Sequence, residues 1–240
     1  MTKTFSSKLL YPLKHSSDFF VLVNKLYNMK HILFIIGSFR KNSFNRQLAK
    51  IAEDFLKDRF SISYLHFEDL PYMNQDWEIN GNINVRGMLS LKELRTTDNG
   101  ELEARLLKHA RESVYRVRQE ILKADGIWIF TPEYNQSYPG LLKNLFDWLS
   151  RPMDISNFAN PTAAQGKKVT ASGAGGKNKT AYCRAKLNDL LEYIKMDVMK
   201  EPQTGIALGM EAWVKGEFHL SEEQLNQLKE QAEEFAKFIE

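Results

Sequence analysis

The chain alternates short apolar runs with longer amphipathic patterns, and this order restricts the folds open to it. The runs His31-Ile-Leu-Phe-Ile-Ile-Gly37 and Gly126-Ile-Trp-Ile-Phe-Thr131 are almost continuously apolar. Such runs are typical of strands that are buried on both faces. A helical pattern follows each of them, at 43–58 and at 141–149. The alternation predicts a doubly wound α/β domain, a parallel sheet with helices on both faces.

Further elements extend this prediction to five strands. Strands are expected at 61–67, 168–172 and 205–208, and helices at 104–123 and 181–195. A last helix begins after Ser221, which forms a capping box with Gln224. Leu220 and Leu225 would pack as the accompanying hydrophobic staple. In a sheet of this kind, ligands bind at the carboxyl ends of the strands.

Composition excludes several classes of protein. The net charge is only +3, which gives no indication of a nucleic-acid partner. Hydrophobic residues make up 43% of the chain, enough for a sizeable core, yet no run approaches the ~18 apolar residues of a membrane span. A single cysteine cannot form an internal disulfide and favours a reducing compartment, so a cytoplasmic location is expected.

Two segments stand apart from the α/β pattern. Residues 1–28 lack the apolar core and cleavage site of a signal peptide, and we expect them to be a disordered extension. Met29 could be the true start, and the patch 19–26 could instead be a short helix that docks on a partner. Residues 72–103 are polar and rich in Asn and Gly, which predicts a loop or partly helical insert. The domain is expected to span 29–240.

The segment after the first strand offers polar groups where a helix begins. In order, these are a hydroxyl, a guanidinium, a second hydroxyl and an amide, from Ser38, Arg40, Ser43 and Asn45. Helix N-termini favour anions through unpaired N–H groups and the macrodipole, and an arginine can add a bidentate contact. The segment therefore indicates a phosphate site. A plain strand–turn–helix corner, with Ser43 as its N-cap, explains it equally well.

Two more loops leave the expected carboxyl ends of strands. The segment 131–140 contains two prolines, an asparagine and a glycine, which indicate an irregular backbone. Its N–H groups could face a planar polar heterocycle, with Tyr134 beside the ring, and a plain connection into the next helix is the alternative. The glycines of the segment 172–179 would let backbone approach a ligand closely, and a flexible turn is the alternative. Neither the P-loop nor the dinucleotide-binding pattern is present.

No side chain stands out as a catalyst or metal ligand. Cys183 lies in a helical pattern without an adjacent base, which favours a small packing residue. The five histidines show no metal-ligand spacing, and there is no nucleophile elbow. The sequence predicts no catalytic side chain and no metal site, so any chemistry would belong to a bound cofactor.

Taken together, the three loops resemble those of the NADPH-dependent FMN reductase family of flavodoxin-like proteins, which includes quinone, chromate and azo-dye reductases. The family pattern G-S-x-R-x-x-S-x-N is met by 37–45. The pattern P-E-Y-N-x-S-x-P-G-x-L-K-N-x-x-D-W is met by 132–148, and Ser150-Arg151-Pro152 continues the match. The resemblance covers about 30–210 and departs from the family in the large 72–103 insert.

The resemblance implies a flavodoxin-like fold and an FMN-bound oxidoreductase. NAD(P)H would reduce the flavin, which would pass electrons to a quinone, azo, metal-oxyanion or flavin acceptor. The implied phosphate ligands are Ser38, Arg40, Ser43 and Asn45. The isoalloxazine ring would be lined by Pro132, Glu133, Tyr134 and Asn135, and approached from its other side by Ser172, Gly173 and Gly175. Helix-start and subunit-contact roles, rather than catalysis, are implied for Lys143, Asn144, Asp147 and Arg151.

The same resemblance implies a homodimer or homotetramer that uses a small-molecule acceptor, without a membrane or nucleic-acid partner. Two rival functions remain open from the sequence. One is a flavodoxin-like electron carrier that binds no nicotinamide. The other is a non-enzymatic flavin-binding or regulatory module that uses the 72–103 insert as its interaction surface.

Overall fold

The computed structural model describes residues 29–75, 100–154 and 157–240, which form six strands and six helices. The strands are β1 His31–Ile36, β2 Ser61–Tyr64, β3 Gly126–Phe130, β4 Lys168–Gly175, β5 Asp197–Val198 and β6 Gly205–Ala207. The helices are α1 Phe44–Leu56, α2 Gly100–Lys123, α3 Gly140–Leu149, α4 Ala181–Tyr193, α5 Met210–Lys215 and α6 Glu222–Ile239. Within these ranges, no helix has the length and apolar character needed to cross a membrane.

The strands form one parallel sheet in the order β2-β1-β3-β4-β5, and β6 pairs with the second half of β4. The chain runs from β1 outward to β2 and then returns to place β3 on the other side of β1. The strand order therefore reverses between β1 and β3, and this point is where open α/β sheets bind ligands. The predicted flavodoxin-like, doubly wound fold is confirmed.

Alternate side chains of the central strands pack into two hydrophobic cores, one on each face of the sheet, and this explains the continuous apolar runs. Leu33 and Ile35 pack on one face against α2, α3 and α4. Ile32 and Phe34 pack on the other face against α1 and α6. All four side chains are fully buried. A strand covered on both faces has no solvent side, so the alternation of polar and apolar residues seen in half-exposed strands is lost.

The edge of the sheet next to β4 differs from the prediction. The expected fifth strand at 205–208 is β6, and the two-residue strand β5 had no counterpart in the sequence analysis. Both lie beside β4, β5 next to its start and β6 next to its end. Between them the Thr170 hydroxyl donates to the carbonyl oxygen of Met199 at 3.2 Å, so the edge is interrupted rather than continuous.

Helix α2 begins at Gly100, four residues before the expected start at 104. Residues 76–99 and 1–28 lie outside the described part of the chain, so the predictions of a loop and of a disordered extension stay predictions. The start of the insert is tied to α3. The Asn144 amide accepts from Met73 N at 2.7 Å and donates to Pro71 O at 2.9 Å. Asn144 thus joins α3 to the segment that follows β2, and its expected role at the helix start and in a subunit contact stays a prediction.

The last helix is fastened to the sheet by a buried glutamine. The Gln231 carbonyl oxygen accepts from Ser172 Oγ at 2.8 Å and from Thr204 N at 2.7 Å. Its amide nitrogen donates to Thr170 Oγ1 at 3.0 Å and to Ala171 O at 3.1 Å. Gln231 is fully buried, and these four bonds satisfy its polar atoms. The predicted capping box at the start of α6 is confirmed.

Candidate cofactor site

Three loops leave the same edge of the sheet, at the carboxyl ends of β1, β3 and β4. Backbone hydrogen bonds hold their first residues side by side. Gly37 N donates to Phe130 O at 2.7 Å, and Thr131 N donates to Ser172 O at 2.9 Å. The structure therefore brings together the three segments that the sequence analysis singled out.

The first loop presents an uncapped helix end. Ser43 occupies the N-cap position of α1 with an extended backbone, yet its side chain makes no capping hydrogen bond. The first turn of α1 carries no acidic residue that could take this place. The N–H groups of the first turn thus lack the side-chain acceptor that serine usually supplies. An anion would complete this helix end, which favours the phosphate interpretation over that of a simple N-cap.

Ser38 and Arg40 lie beside this helix end. Ser38 is buried, and its hydroxyl accepts from Arg40 N at 3.4 Å. The Arg40 side chain is exposed, and its guanidinium lies over the Phe44 ring, 5.6 Å from the centroid. Arg40 is therefore stacked on the first residue of α1, and its exposed guanidinium N–H groups are accessible to solvent or to a ligand.

The side chain of Asn45 links the first loop to β4. Its side chain is buried, donating to Ala174 O at 3.1 Å and accepting from Ala174 N at 2.8 Å. Ala174 lies beyond the last pairing of β4 with β3, at Phe130 and Ser172. Because β3 has already ended at this level, the Asn45 amide pairs with the Ala174 backbone where a neighbouring strand would otherwise do so. Asn45 therefore joins α1 to the end of β4, and its expected contact with the phosphate stays a prediction.

The second loop contains a tight two-residue turn. Tyr134 and Ser137 exchange two backbone hydrogen bonds of 3.0 Å each. Between them, Asn135 and Gln136 have φ values of 52° and 57°. This left-handed region is common for asparagine but uncommon for glutamine, and such backbone strain concentrates at functional sites. The predicted irregular backbone is confirmed, and Tyr134 stands half-exposed beside it.

Pro132 and Glu133, which precede this turn, are partly buried. The Glu133 carboxylate accepts from Cys183 N at 2.9 Å, in the first turn of α4. Burial raises the pKa of the Cys183 thiol to about 11, so the thiol is protonated near neutral pH. A protonated, buried thiol is a poor nucleophile, which agrees with the prediction that Cys183 is not a catalyst.

The third loop begins later than predicted, because β4 runs on to Gly175. Ser172 and Gly173 are strand residues, and the Ser172 hydroxyl lies in the core, where it accepts from Trp128 Nε1 at 3.0 Å. A Cβ added at Gly173 would meet Thr180 Oγ1 at 2.3 Å. The Ser172 hydroxyl is therefore engaged in the core, whereas Gly173 makes room for the Thr180 side chain.

The exposed part of the third loop is 176–179, and Thr180, which follows it, is buried. A Cβ added at Gly176 would meet nothing within 4 Å, so open space lies in front of it. Lys179 and Thr180 both have left-handed φ values, 50° and 56°. Two successive residues of this kind turn the chain sharply into α4. The sequence analysis had no signal for this turn, since neither residue is glycine or asparagine.

The site as a whole suits a phosphorylated ligand with a planar ring. The uncapped start of α1, two serine hydroxyls and Arg40 provide an anion subsite. The hairpin at Tyr134 and the open space at Gly176 flank the adjoining region. No group of three or more potential metal ligands occurs in the ranges that the structure describes.

A doubly wound sheet with a ligand site at its strand-order reversal defines a flavodoxin-like protein. The sequence matches the NADPH-dependent FMN reductase family over residues 30–211, and the chain belongs to that family.

Named relatives agree with this assignment. The chain is 32% identical over 173 residues to a 2-hydroxy-1,4-benzoquinone reductase from Burkholderia sp., covering 72% of this chain and 75% of the relative. It is 27% identical over 173 residues to a quinone reductase from Pseudomonas putida, with the same coverage of 72% and 75%. Among solved structures it is similar to the flavoenzyme NAD(P)H:(acceptor) oxidoreductase FerB from Paracoccus denitrificans. That comparison gives a TM-score of 0.66 and 27% identity over 88% of this chain and 97% of FerB.

The family makes the chain an oxidoreductase with FMN as its cofactor and NAD(P)H as its co-substrate. The residues present fit FMN, because the first turn of α1 has no side-chain cap and no acidic residue, and a phosphate group could accept from its N–H groups. The family assignment was predicted from the loops and is confirmed. The individual cofactor contacts stay predictions.

Proposed function

We propose that this protein reduces a quinone with electrons from NAD(P)H, through FMN bound where the three loops meet. A quinone is favoured over azo, metal-oxyanion and free flavin acceptors because two relatives, 32% and 27% identical over 75% of their length, are quinone reductases. The observation that carries the proposal is the N-terminus of α1, where Ser43 makes no side-chain cap and the first turn contains no acidic residue.

Bound FMN would supply the hydride and electron transfer that no side chain here can perform. The phosphate would be held by the first-turn N–H groups of α1, the Ser38 and Ser43 hydroxyls and Arg40. Pro132, Glu133, Tyr134 and Asn135 would line the ring through their backbone, and Gly175 would allow close approach from the other side. Asn45, Ser172 and Gly173 would support these contacts from behind, through the interior bonds described above.

The half-exposed aromatic ring of Tyr134 would cover one side of the space in which nicotinamide and acceptor bind in turn. We also propose that the protein acts in the cytoplasm as a homodimer or homotetramer with small-molecule substrates.

Steady-state kinetics with NADPH and NADH against a panel of quinones, an azo dye and chromate test this function. One shared site predicts parallel double-reciprocal lines for NAD(P)H against a quinone. A quinone should give the highest kcat/KM of the panel. No oxidation of NADPH or NADH, with flavin bound, would favour an electron carrier. Purified protein that neither contains nor binds flavin would favour a regulatory module.

Arg40→Ala tests the phosphate subsite directly. A charged hydrogen bond contributes about 1.5–3 kcal/mol, so FMN binding should weaken about tenfold or more. Riboflavin, which lacks the phosphate, should bind almost as it does to the wild type. Lys41→Ala is the matched control, because Lys41 is an exposed cation in the same loop. Equal losses for FMN and riboflavin in the Arg40 variant would refute the assignment.

A further inference from the structure

The second loop needs support from outside the sheet. Thr131 N makes the last ladder bond, to Ser172 O, and the next residue is a proline without an N–H group. Beyond this point the β3 chain has no strand neighbour until the hairpin at Tyr134. The segment 132–133, which would line the flavin ring, is therefore held by side-chain contacts. These contacts involve the Glu133 carboxylate and the Cys183 thiol.

The start of α4 also needs support. Its N-cap residue, Thr180, is in the left-handed region and makes no side-chain cap. An effective N-cap has an extended backbone, and the Thr180 side chain is packed against Gly173 and Gly175 instead. The Glu133 carboxylate takes over this role by accepting from Cys183 N at 2.9 Å. A carboxylate at this position also interacts favourably with the helix macrodipole.

A second set of contacts fixes the peptide between Pro132 and Glu133. The Pro132 carbonyl oxygen accepts from Thr131 Oγ1 at 2.9 Å and from the buried Cys183 thiol at 3.4 Å. In a trans peptide, the C=O and the following N–H point in opposite directions. Because the Pro132 carbonyl points inward to Cys183, the N–H of Glu133 points away from the interior.

The Glu133 N–H faces the space between the second and third loops. It makes no hydrogen bond with any part of the chain that the structure describes. A Cβ added at Gly175 would lie 3.9 Å from Glu133 N and 3.0 Å from Thr180 Cγ2, so the Glu133 N–H group lies close to the end of β4, where only a glycine fits. An outward N–H donor at the edge of the proposed ring site is thus held in place without a ligand.

We propose that Glu133 and Cys183 are positioning residues that clasp the second loop to α4 and aim the Glu133 N–H at the flavin ring. This inference rests on the proposed function. It assigns the two side chains a role in ring binding that is separate from the phosphate subsite, and it joins the second loop to the helix that follows the third loop.

The test compares Glu133→Ala with Glu133→Gln, and uses Glu192→Ala as the control. Glu192 is an exposed carboxylate in the last turn of the same helix, paired with Lys200 and far along the helix from Cys183. Binding of FMN and of riboflavin to apoprotein is followed by quenching of flavin fluorescence. The midpoint potential of bound FMN is measured on the same proteins.

Glu133→Ala should weaken FMN and riboflavin equally, by about tenfold, because the lost contact acts at the ring they share. Glu133→Gln keeps an oxygen that can accept from Cys183 N, so affinity should return to within about threefold of the wild type. Both variants remove a negative charge beside the ring, and the midpoint potential should rise in both. The control should match the wild type in affinity and potential.

Unchanged affinity and potential in both Glu133 variants would overturn the proposal. A lowered Tm for Glu133→Ala, with flavin affinity and potential unchanged well below that Tm, would also overturn it, since the carboxylate would then only stabilise α4. Wild-type protein that binds neither flavin would contradict the proposed function itself, before any variant is measured.

Cys183 provides an independent pair in case Glu133→Ala does not fold. Cys183→Ser keeps a donor toward Pro132 O, whereas Cys183→Ala removes it. The serine variant should bind FMN and riboflavin more tightly than the alanine variant, with a midpoint potential closer to the wild type. Equal affinities and potentials in the two variants would remove Cys183 from the clasp.

Discussion

Replacing Asn45 by alanine should destabilise the protein before any cofactor is added. The Asn45 amide makes two buried hydrogen bonds, of 2.8 and 3.1 Å, to the backbone of Ala174, 129 residues away in the chain. Alanine would leave a buried N–H and a buried C=O without partners. Each unsatisfied group costs about 1–3 kcal/mol, which places the loss near 4 kcal/mol. For a domain of this size, Tm should fall by about 8–16 °C.

Differential scanning calorimetry and urea denaturation of the apoprotein measure this change. Asn226→Ala is the matched control, because Asn226 lies on the exposed face of α6 and should alter stability by less than about 0.5 kcal/mol. Asn45→Asp keeps the acceptor for Ala174 N but loses the donor to Ala174 O, and it should not restore stability. If Asn45→Ala apoprotein is as stable as the wild type while its FMN binding alone is weakened, Asn45 contacts the phosphate, and the stabilising role of its hydrogen bonds to Ala174 is refuted.

Three further outcomes follow from buried or capping groups. Gln231→Leu should lower the free energy of unfolding by about 3 kcal/mol or more, because the buried donors Thr204 N and Ser172 Oγ lose their acceptor. A change below about 1 kcal/mol in urea denaturation would contradict a stabilising role for the Gln231 hydrogen bonds. With its pKa raised to about 11, Cys183 should react with iodoacetamide far more slowly in the folded than in the urea-unfolded protein at pH 8. Equal rates would show that the thiol is not buried. Ser221→Ala should cost about 1 kcal/mol through loss of the capping box, and unchanged stability would argue against it.

The fold could be predicted because each central strand corresponds to a short, nearly continuous apolar run in the sequence. The runs at β1 and β3 are apolar at nearly every position, and burial on both faces of the sheet requires this. Strand β5 could not be predicted in this way. It has two residues, one of them Asp197, and it exists only because β4 lies beside it. A strand formed by pairing alone leaves no periodic pattern in its own sequence.

In the candidate site as well, features formed by neighbouring residues could be predicted, whereas contacts between residues distant in sequence could not. The first and second loops were located from motifs of neighbouring residues, and the structure brings both to one edge of the sheet. The tasks of Asn45 and Ser172 were missed because their partners, Ala174 and Gln231, are distant in sequence. Glycines at 173 and 175 suggested close approach of a ligand, but at Gly173 the approaching group is the protein's own Thr180.

The central claim, that this protein passes electrons from NAD(P)H through FMN held where the three loops meet, is tested most directly by an anaerobic titration. Purified protein reconstituted with FMN is titrated with NADPH while the visible flavin absorbance is recorded, and a quinone is then added. The account predicts that about one equivalent of NADPH bleaches the bound flavin and that the quinone restores its colour. Bound flavin that stays oxidised in excess NADPH and NADH would contradict it.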